Sequence, residues 1–312
     1  MTNPDSNQAD WSNYWQGRAA GKTGEVFAGV GVETSDELHQ HWRDVFANCA
    51  DGTVLDLACG AGSVIRHAAA AGLADLIGLD ISPAAIAATR QSCPDLLGLV
   101  ASADVLPLAD ASVSMVASQF GFEYADRKRA AREVHRVLKP GGRFSAIVHL
   151  KNGAIDRECR GHLARLEAIT QSAFLPAART VFSTVFAFER DPSGAHRAAM
   201  DAALGALAAA QEALAPEVRA GGLAAHLQAG AGQLFERRRS YLESDILKWL
   251  DDMEGEMVAY RGRMNGMLGA AIDRDEGESL LKAIAPDGKI ECHEFHLAGR
   301  AAAWRMSAVP RS

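Results

Sequence analysis

Val54-Leu55-Asp56-Leu57-Ala58-Cys59-Gly60-Ala61-Gly62-Ser63 decides the fold. The apolar run from Thr53 to Leu57 reads as a strand, the small residues after it as a tight turn, and the following stretch to about Ala71 as a helix. Leu76-Ile77-Gly78-Leu79-Asp80 then supplies a second apolar strand, so the segment forms a βαβ unit and its two strands run parallel. A turn this poor in side chains, at the carboxyl end of a parallel strand, lets backbone approach a ligand closely.

The alternation continues downstream. Pro83 after Ser82 opens a helix at the position where a missing amide hydrogen does no harm, and Leu97 to Ala101 reads as a third strand. Val113 to Ala117 is a fourth. Arg127 to Leu138 is an amphipathic helix with Ala130, Val134, Val137 and Leu138 on one face, and Lys139-Pro140-Gly141-Gly142 ends it before a fifth strand from Arg143 to Leu150. Upstream, Thr34 and Glu37 form a capping box for a helix over 34–48 whose inner face is Leu38, Trp42, Val45 and Phe46. The fold class is therefore α/β, a doubly wound, Rossmann-like parallel sheet covered on both faces.

After Leu150 the pattern changes. Residues 151–284 are Ala-rich and helical, punctuated by Pro176, Pro192, Pro216 and Gly221-Gly222, and read as an insertion. Within it Ile246, Leu250, Met253, Met257, Tyr260, Met264 and Met267 form one apolar seam. Gly255, Gly262, Gly266 and Gly269 each weaken that helix by about 1 kcal/mol relative to Ala, so a bend or a break is expected. Lys289 to Leu297 and Ala302 to Ala308, separated by Gly299, read as a closing hairpin. The expected divisions are 1–50, 51–150, 151–284 and 285–312.

The chain has 312 residues, 48% hydrophobic and 23% charged, enough for a core with a large insertion and unlike a disordered composition. A net charge of −7 opposes binding to a phosphate backbone, and the Arg237-Arg238-Arg239 run, flanked by Glu236 and Glu243, reads as a solvated face. The opening residues lack a signal-peptide pattern and no stretch is apolar enough to span a bilayer, so a cytoplasmic location without membrane or nucleic-acid partners is expected. Five scattered cysteines give no disulfide framework. Cys292, His293 and His296 lack a fourth ligand, and 292 and 296 share a face that 293 leaves, so no metal is expected.

Asp56, Asp80 and Asp104 all fall at or near strand ends on the edge where open α/β sheets bind ligands. Asp80 suits a ribose diol, which a carboxylate accepts bidentately. Asp104 suits an adenine amino group, with Val105 stacking near the ring. Carboxylates favour a sulfonium cation and disfavour a pyrophosphate. Ile65 stands where a dinucleotide fingerprint needs Gly or Ala, which speaks against a nicotinamide-dependent oxidoreductase.

With those residues in place, the sequence resembles the class I S-adenosylmethionine-dependent methyltransferases, in the branch that includes ubiquinone and menaquinone C-methyltransferases. The likeness spans about 53–150 and rests on Val54–Gly62, on Gly78-Leu79-Asp80-Ile81-Ser82, on Ala103-Asp104-Val105-Leu106-Pro107-Leu108 and on Glu133 to Arg143. It implies strand order 3-2-1-4-5-7-6 with the seventh strand antiparallel. It also implies a cofactor set of Asp56, Ala58, Gly60, Gly62, Asp80, Ile81, Asp104, Val105 and Gln119. Ala58 replaces the family's usual first glycine. Trp11, Tyr14, Trp15 and Arg18 are expected to fold over the cofactor as a lid or to pack on the core.

The expected reaction is methyl transfer to a small, partly apolar acceptor shaped by the insertion, in a monomer or homodimer. A sulfonium is already activated, so a base is optional; His149, Glu123 and Tyr124 are the candidates. Ser118-Gln119-Phe120-Gly121-Phe122 lacks the Asn/Asp-Pro-Pro-aromatic motif of amide and adenine amino methyltransferases. A non-catalytic S-adenosylmethionine-binding module is the remaining alternative.

Overall fold

The computed structural model describes residues 36–47, 49 and 52–311. Thr34 and the expected lid residues Trp11, Tyr14, Trp15 and Arg18 lie outside the described residues. The described chain divides into two compact units, one running to Cys159 and resuming at Gly266, the other Arg160–Asn265.

In the first unit, α1 (Asp36–Ala47) precedes β1 (Val54–Leu57), α2 (Ser63–Ala70), β2 (Leu76–Asp80), α3 (Pro83–Ser92), β3 (Leu97–Val100) and β4 (Val113–Gln119). A 3-10 turn (Phe122–Tyr124), α4 (Arg127–Val137) and β5 (Leu138–His149) follow. The sheet has seven strands in the order β3-β2-β1-β4-β5-β7-β6, with β6 (Lys289–Leu297) and β7 (Arg300–Val309) at one edge. Pairing is parallel from β3 to β5, and β7 runs antiparallel between β5 and β6. The expected order and the antiparallel seventh strand are both present.

The central strands are apolar because both faces are covered. Every residue of β1 and β2 is buried. On the core of Leu55, Leu57, Val116, Phe144 and Val148 pack Val134 and Val137 of α4, and Leu280, Leu281 and Ile284 of α10 (Arg274–Ile284). On α1, Leu38, Trp42 and Phe46 point inward while Val45 is half-buried. Two side-chain bonds fix this helix: Trp42 Nε1 donates to Gln119 Oε1 at 2.6 Å, and the Ala298 amide donates to Glu37 Oε1 at 3.0 Å.

Three local readings are corrected. Strand β5 begins at Leu138, and Lys139-Pro140-Gly141-Gly142 is absorbed as a register shift between Val113↔Leu138 and Met115↔Arg143. Opposite Phe295 and His296 the register with β7 skips Ala302, and Cys292 is buried and His296 exposed where the sequence placed them on one face. The seam helix α9 (Glu243–Ala270) is continuous despite its glycines. Its buried row of Ile246, Leu250, Met253, Met257, Tyr260 and Met264 outweighs the propensity loss; Met267 is half-buried.

The second unit is helical: most of α5 (Ala154–Gln171), then α6 (Phe174–Arg190), α7 (Gly194–Arg219), α8 (Leu223–Glu236) and α9 up to Asn265. Ala178 and Phe182 of α6 pack on Ile246 and Leu250 of α9, and Val181 and Val185 pack on Ala203 of α7. Pro176 sits in the first turn of α6 and Pro216 inside α7, so neither interrupts a helix. Arg238 bonds Glu189 at 2.8 Å, while Arg239 stays exposed.

Candidate active site

The bend between β1 and α2 is held from both sides. Cys59 N donates to Leu79 O at 3.0 Å, Gly62 N to Cys59 O at 2.8 Å, and Thr89 Oγ1 of α3 to Gly60 O at 2.6 Å. Ala58, Gly60 and Gly62 all have left-handed backbone, with φ of 59°, 53° and 78°. Ala58 therefore carries a methyl in a conformation that costs an L-residue about 1–2 kcal/mol. Gly121, packed against Ala58, shows why it is accommodated: a Cβ there would lie 2.4 Å from the Ala58 Cβ.

Asp80 ends β2 and spans the bend. Its Oδ2 accepts from Gly60 N at 3.0 Å and its Oδ1 from Ser82 N at 2.8 Å. Burial raises its pKa, and those amides oppose the rise. The Ile81 amide meets the same carboxylate, which still keeps acceptor capacity for a ligand. Asp56 lies deeper, 1% exposed, and neither of its oxygens makes a hydrogen bond among the described residues. Burial pushes its carboxyl up to about 7, helped by the Asp80 charge and opposed by the Ile65 amide and Arg66.

The crevice at these strand ends has a volume of about 640 Å³ counted to its open mouth. Ala58, Asp80 and Ile81 form one wall, Ala101, Ser102 and Ala103 another, and Phe120, Gly121 and Tyr124 a third. Among the described residues Asp80 is its only lining carboxylate and none of the lining residues is basic. The three aspartates thus do not all converge on the crevice. Asp56 is behind the bend, and Asp104, half-buried, accepts from Ser102 Oγ at 2.5 Å. Val105 is exposed, and Gln119 spends its carbonyl on Trp42.

The loop that carries Asp104 is clamped by α4. Glu133 Oε2 accepts from Leu106 N at 2.8 Å, and Arg136 donates to Leu106 O at 3.0 Å, Leu108 O at 2.7 Å and Asp110 Oδ1 at 2.7 Å. The bond from Arg136 is the main reason the Glu133 carboxyl lies below its ordinary range. Reading the sequence for site residues missed this pair; its i, i+3 spacing on a helix was the available signal. Phe120, Gly121, Ala101 and Ser102 were also missed as wall residues, because small and apolar side chains carry no chemical signature.

Among the base candidates, His149 Nδ1 lies 2.7 Å from Glu123 Oε1, both side chains being buried. Tyr124 lines the crevice and meets the His149 ring edge-on at 5.7 Å.

Fold and bend together are similar to those of a methyltransferase domain of the class I, S-adenosylmethionine-dependent kind. The methyltransferase domain family matches residues 55–146. The chain is 32% identical over 114 residues to a demethylmenaquinone methyltransferase of Chlorobaculum tepidum, covering 34% of this chain and 47% of that protein. It is 36% identical over 121 residues to a ubiquinone/menaquinone biosynthesis C-methyltransferase of Acidiphilium cryptum, covering 35% and 49%. A solved S-adenosylmethionine-dependent methyltransferase from Mesorhizobium loti aligns with a TM-score of 0.35 at 28% identity, covering 38% of this chain and 56% of that one. The chain spans about half the length of the relatives it matches. Among the described residues no helix is long and apolar enough to cross a membrane.

Proposed function

We propose that this protein transfers a methyl group from S-adenosylmethionine to a small, partly apolar molecule. One observation carries the reading: a crevice lined by a side-chain-poor, left-handed bend and by a pinned carboxylate, with no basic group among its described lining residues. That lining suits a cationic nucleoside and repels a dinucleotide pyrophosphate.

S-adenosylmethionine, when bound, supplies a methyl already activated on a sulfonium centre. The chain's work is placement and exclusion of water. Asp80 accepts the ribose hydroxyls, and Ala58 and Gly60 leave room for the methionine portion. Ala101, Ser102 and Ala103 flank the adenine, with Asp104 and Val105 just beyond them. Five free thiols suit a reducing cytoplasm, where the reaction is placed.

Calorimetry with S-adenosylmethionine, S-adenosylhomocysteine and NAD tests the proposal. The first two are expected to bind and the third not. D80N keeps one acceptor oxygen and loses the charge, and is expected to weaken S-adenosylmethionine by about tenfold, or ~1.4 kcal/mol. NAD binding in preference to S-adenosylmethionine would refute the assignment.

A further inference from the structure

Two ionisable side chains beside the crevice have no part in holding S-adenosylmethionine. Glu123 sits in the Phe122–Tyr124 turn with its side chain fully enclosed, and His149 ends β5 with a side chain 7% exposed. Glu123 Oε1 accepts from the His149 backbone amide at 2.9 Å and stands 2.7 Å from its Nδ1. A carboxylate can only accept, so the imidazole proton lies on Nδ1 and the ring's lone pair on Nε2. Nε2 makes no hydrogen bond among the described residues. Glu123 Oε2 is buried without a donor. Burying such a pair costs more than burying an apolar one, and folding alone does not call for it. A proton-accepting imidazole does call for it: a fixed tautomer and a counter-charge ready for the imidazolium.

The pair stands directly behind two residues of the crevice wall. The His149 ring centroid lies 4.7 Å from that of Phe120 and 5.7 Å from that of Tyr124, and both aromatic side chains line the crevice wall. Phe120 holds a left-handed φ of 51°, with its amide bonded to Ile147 O at 2.8 Å. For a bulky residue that conformation costs on the order of 1–3 kcal/mol, strain that belongs at functional sites. The turn bearing Glu123 is tied to β1 through Ser118 Oγ, which donates to Leu57 O at 2.8 Å and accepts from Phe122 N at 3.0 Å. Among the described residues, β7 faces His149 with Ala303, and Lys151 and Asp273 pair with each other at 3.7 Å, about half exposed.

The geometry points to His149 as the general base toward the acceptor, positioned by Glu123, and to an acceptor that is an aromatic ring bearing a hydroxyl, flanked by Phe120 and Tyr124. The inference rests on the methyl-transfer reading above. His149 Nε2 takes the hydroxyl proton, and the electron pair left on oxygen forms the bond to the methyl carbon as the methyl–sulfur bond breaks, its pair staying on sulfur. The products are the methyl ether, S-adenosylhomocysteine and a protonated His149, whose charge Glu123 balances until the proton passes to water. Attack by oxygen is complete after that one transfer; attack by a ring carbon would need a further step in which the ring C–H proton leaves as the oxygen regains one.

The test needs no turnover. The full chain, loaded with S-adenosylhomocysteine, is titrated with 4-nitrocatechol at a pH below the probe's own ionisation, and the visible band of its ionised form is recorded. Wild type is expected to develop the band on binding. H149N is expected to bind S-adenosylhomocysteine with unchanged affinity and to lose at least nine-tenths of the band. E123Q keeps an acceptor for Nδ1–H without the charge, and is expected to move the band's appearance about one pH unit upward. An undiminished band in H149N, a wild type that binds the probe without the band, or no binding of the probe at all overturns the inference. If circular dichroism shows H149N unfolded, E123Q decides: an unmoved midpoint overturns the role of the pair. Failure of S-adenosylhomocysteine to bind instead overturns the cofactor reading.

Discussion

Asp56→Asn separates the cost of a buried charge from the cost of a buried polar group. In the folded chain burial lifts the Asp56 carboxyl from 3.8 to about 7, with both oxygens unpartnered. A carboxyl raised in this way binds its proton more tightly folded than unfolded, so stability is present at low pH and lost as pH rises from about 4 through 7. At 1.36 kcal/mol for each tenfold change in proton affinity, the loss approaches about 4 kcal/mol above neutrality. Asn has nearly the same shape and does not ionise. Urea denaturation at a series of pH values should show D56N close to wild type near pH 4 and more stable by about 2–4 kcal/mol above pH 8, the gap opening between. A gap independent of pH, or a variant less stable than wild type above pH 8, would refute the account.

His41 is held near 4 by burial, with Arg305 adding to the effect and Asp44 opposing it. Its unfolded form takes up a proton near 6.5, so the fold loses up to about 3 kcal/mol as pH falls from 6.5 to 4. H41Q is expected to abolish that slope in acid denaturation, and a retained slope would count against it. Gly121→Ala places a Cβ 2.4 Å from that of Ala58. It should weaken S-adenosylhomocysteine binding and lower stability by about 1–3 kcal/mol, with A58G/G121A recovering at least half in a double-mutant cycle; purely additive effects would show the contact to be unimportant.

Much of the sheet was legible in the sequence because periodicity is local. Apolar runs of Val54–Leu57 and Leu76–Asp80, with helical spacing between them, admit little but parallel strands under helices. The misjudged places were those where a neighbour overrules local preference. Lys139-Pro140-Gly141-Gly142 looks like a stop, yet pairing with β4 carries the strand back to Leu138. Opposite Phe295 and His296 the register with β7 skips Ala302, where alternation had assigned Cys292 and His296 one face, and α9 stays whole because its buried row outweighs its glycines.

The site divides along the same line. From the sequence alone came the bend, Asp80 at its strand end and the short list of His149, Glu123 and Tyr124, because each is announced by residue type at a fixed distance from a strand. Only the tertiary structure decided that Asp80 lines the crevice while Asp56 lies behind it, that Gly121 makes room for Ala58, and that Glu123 grips His149. The physical reason is one of range. Backbone preference and apolar period act over a few residues of chain, whereas burial, hydrogen-bond partners and steric exclusion depend on groups brought together from strands far apart in sequence.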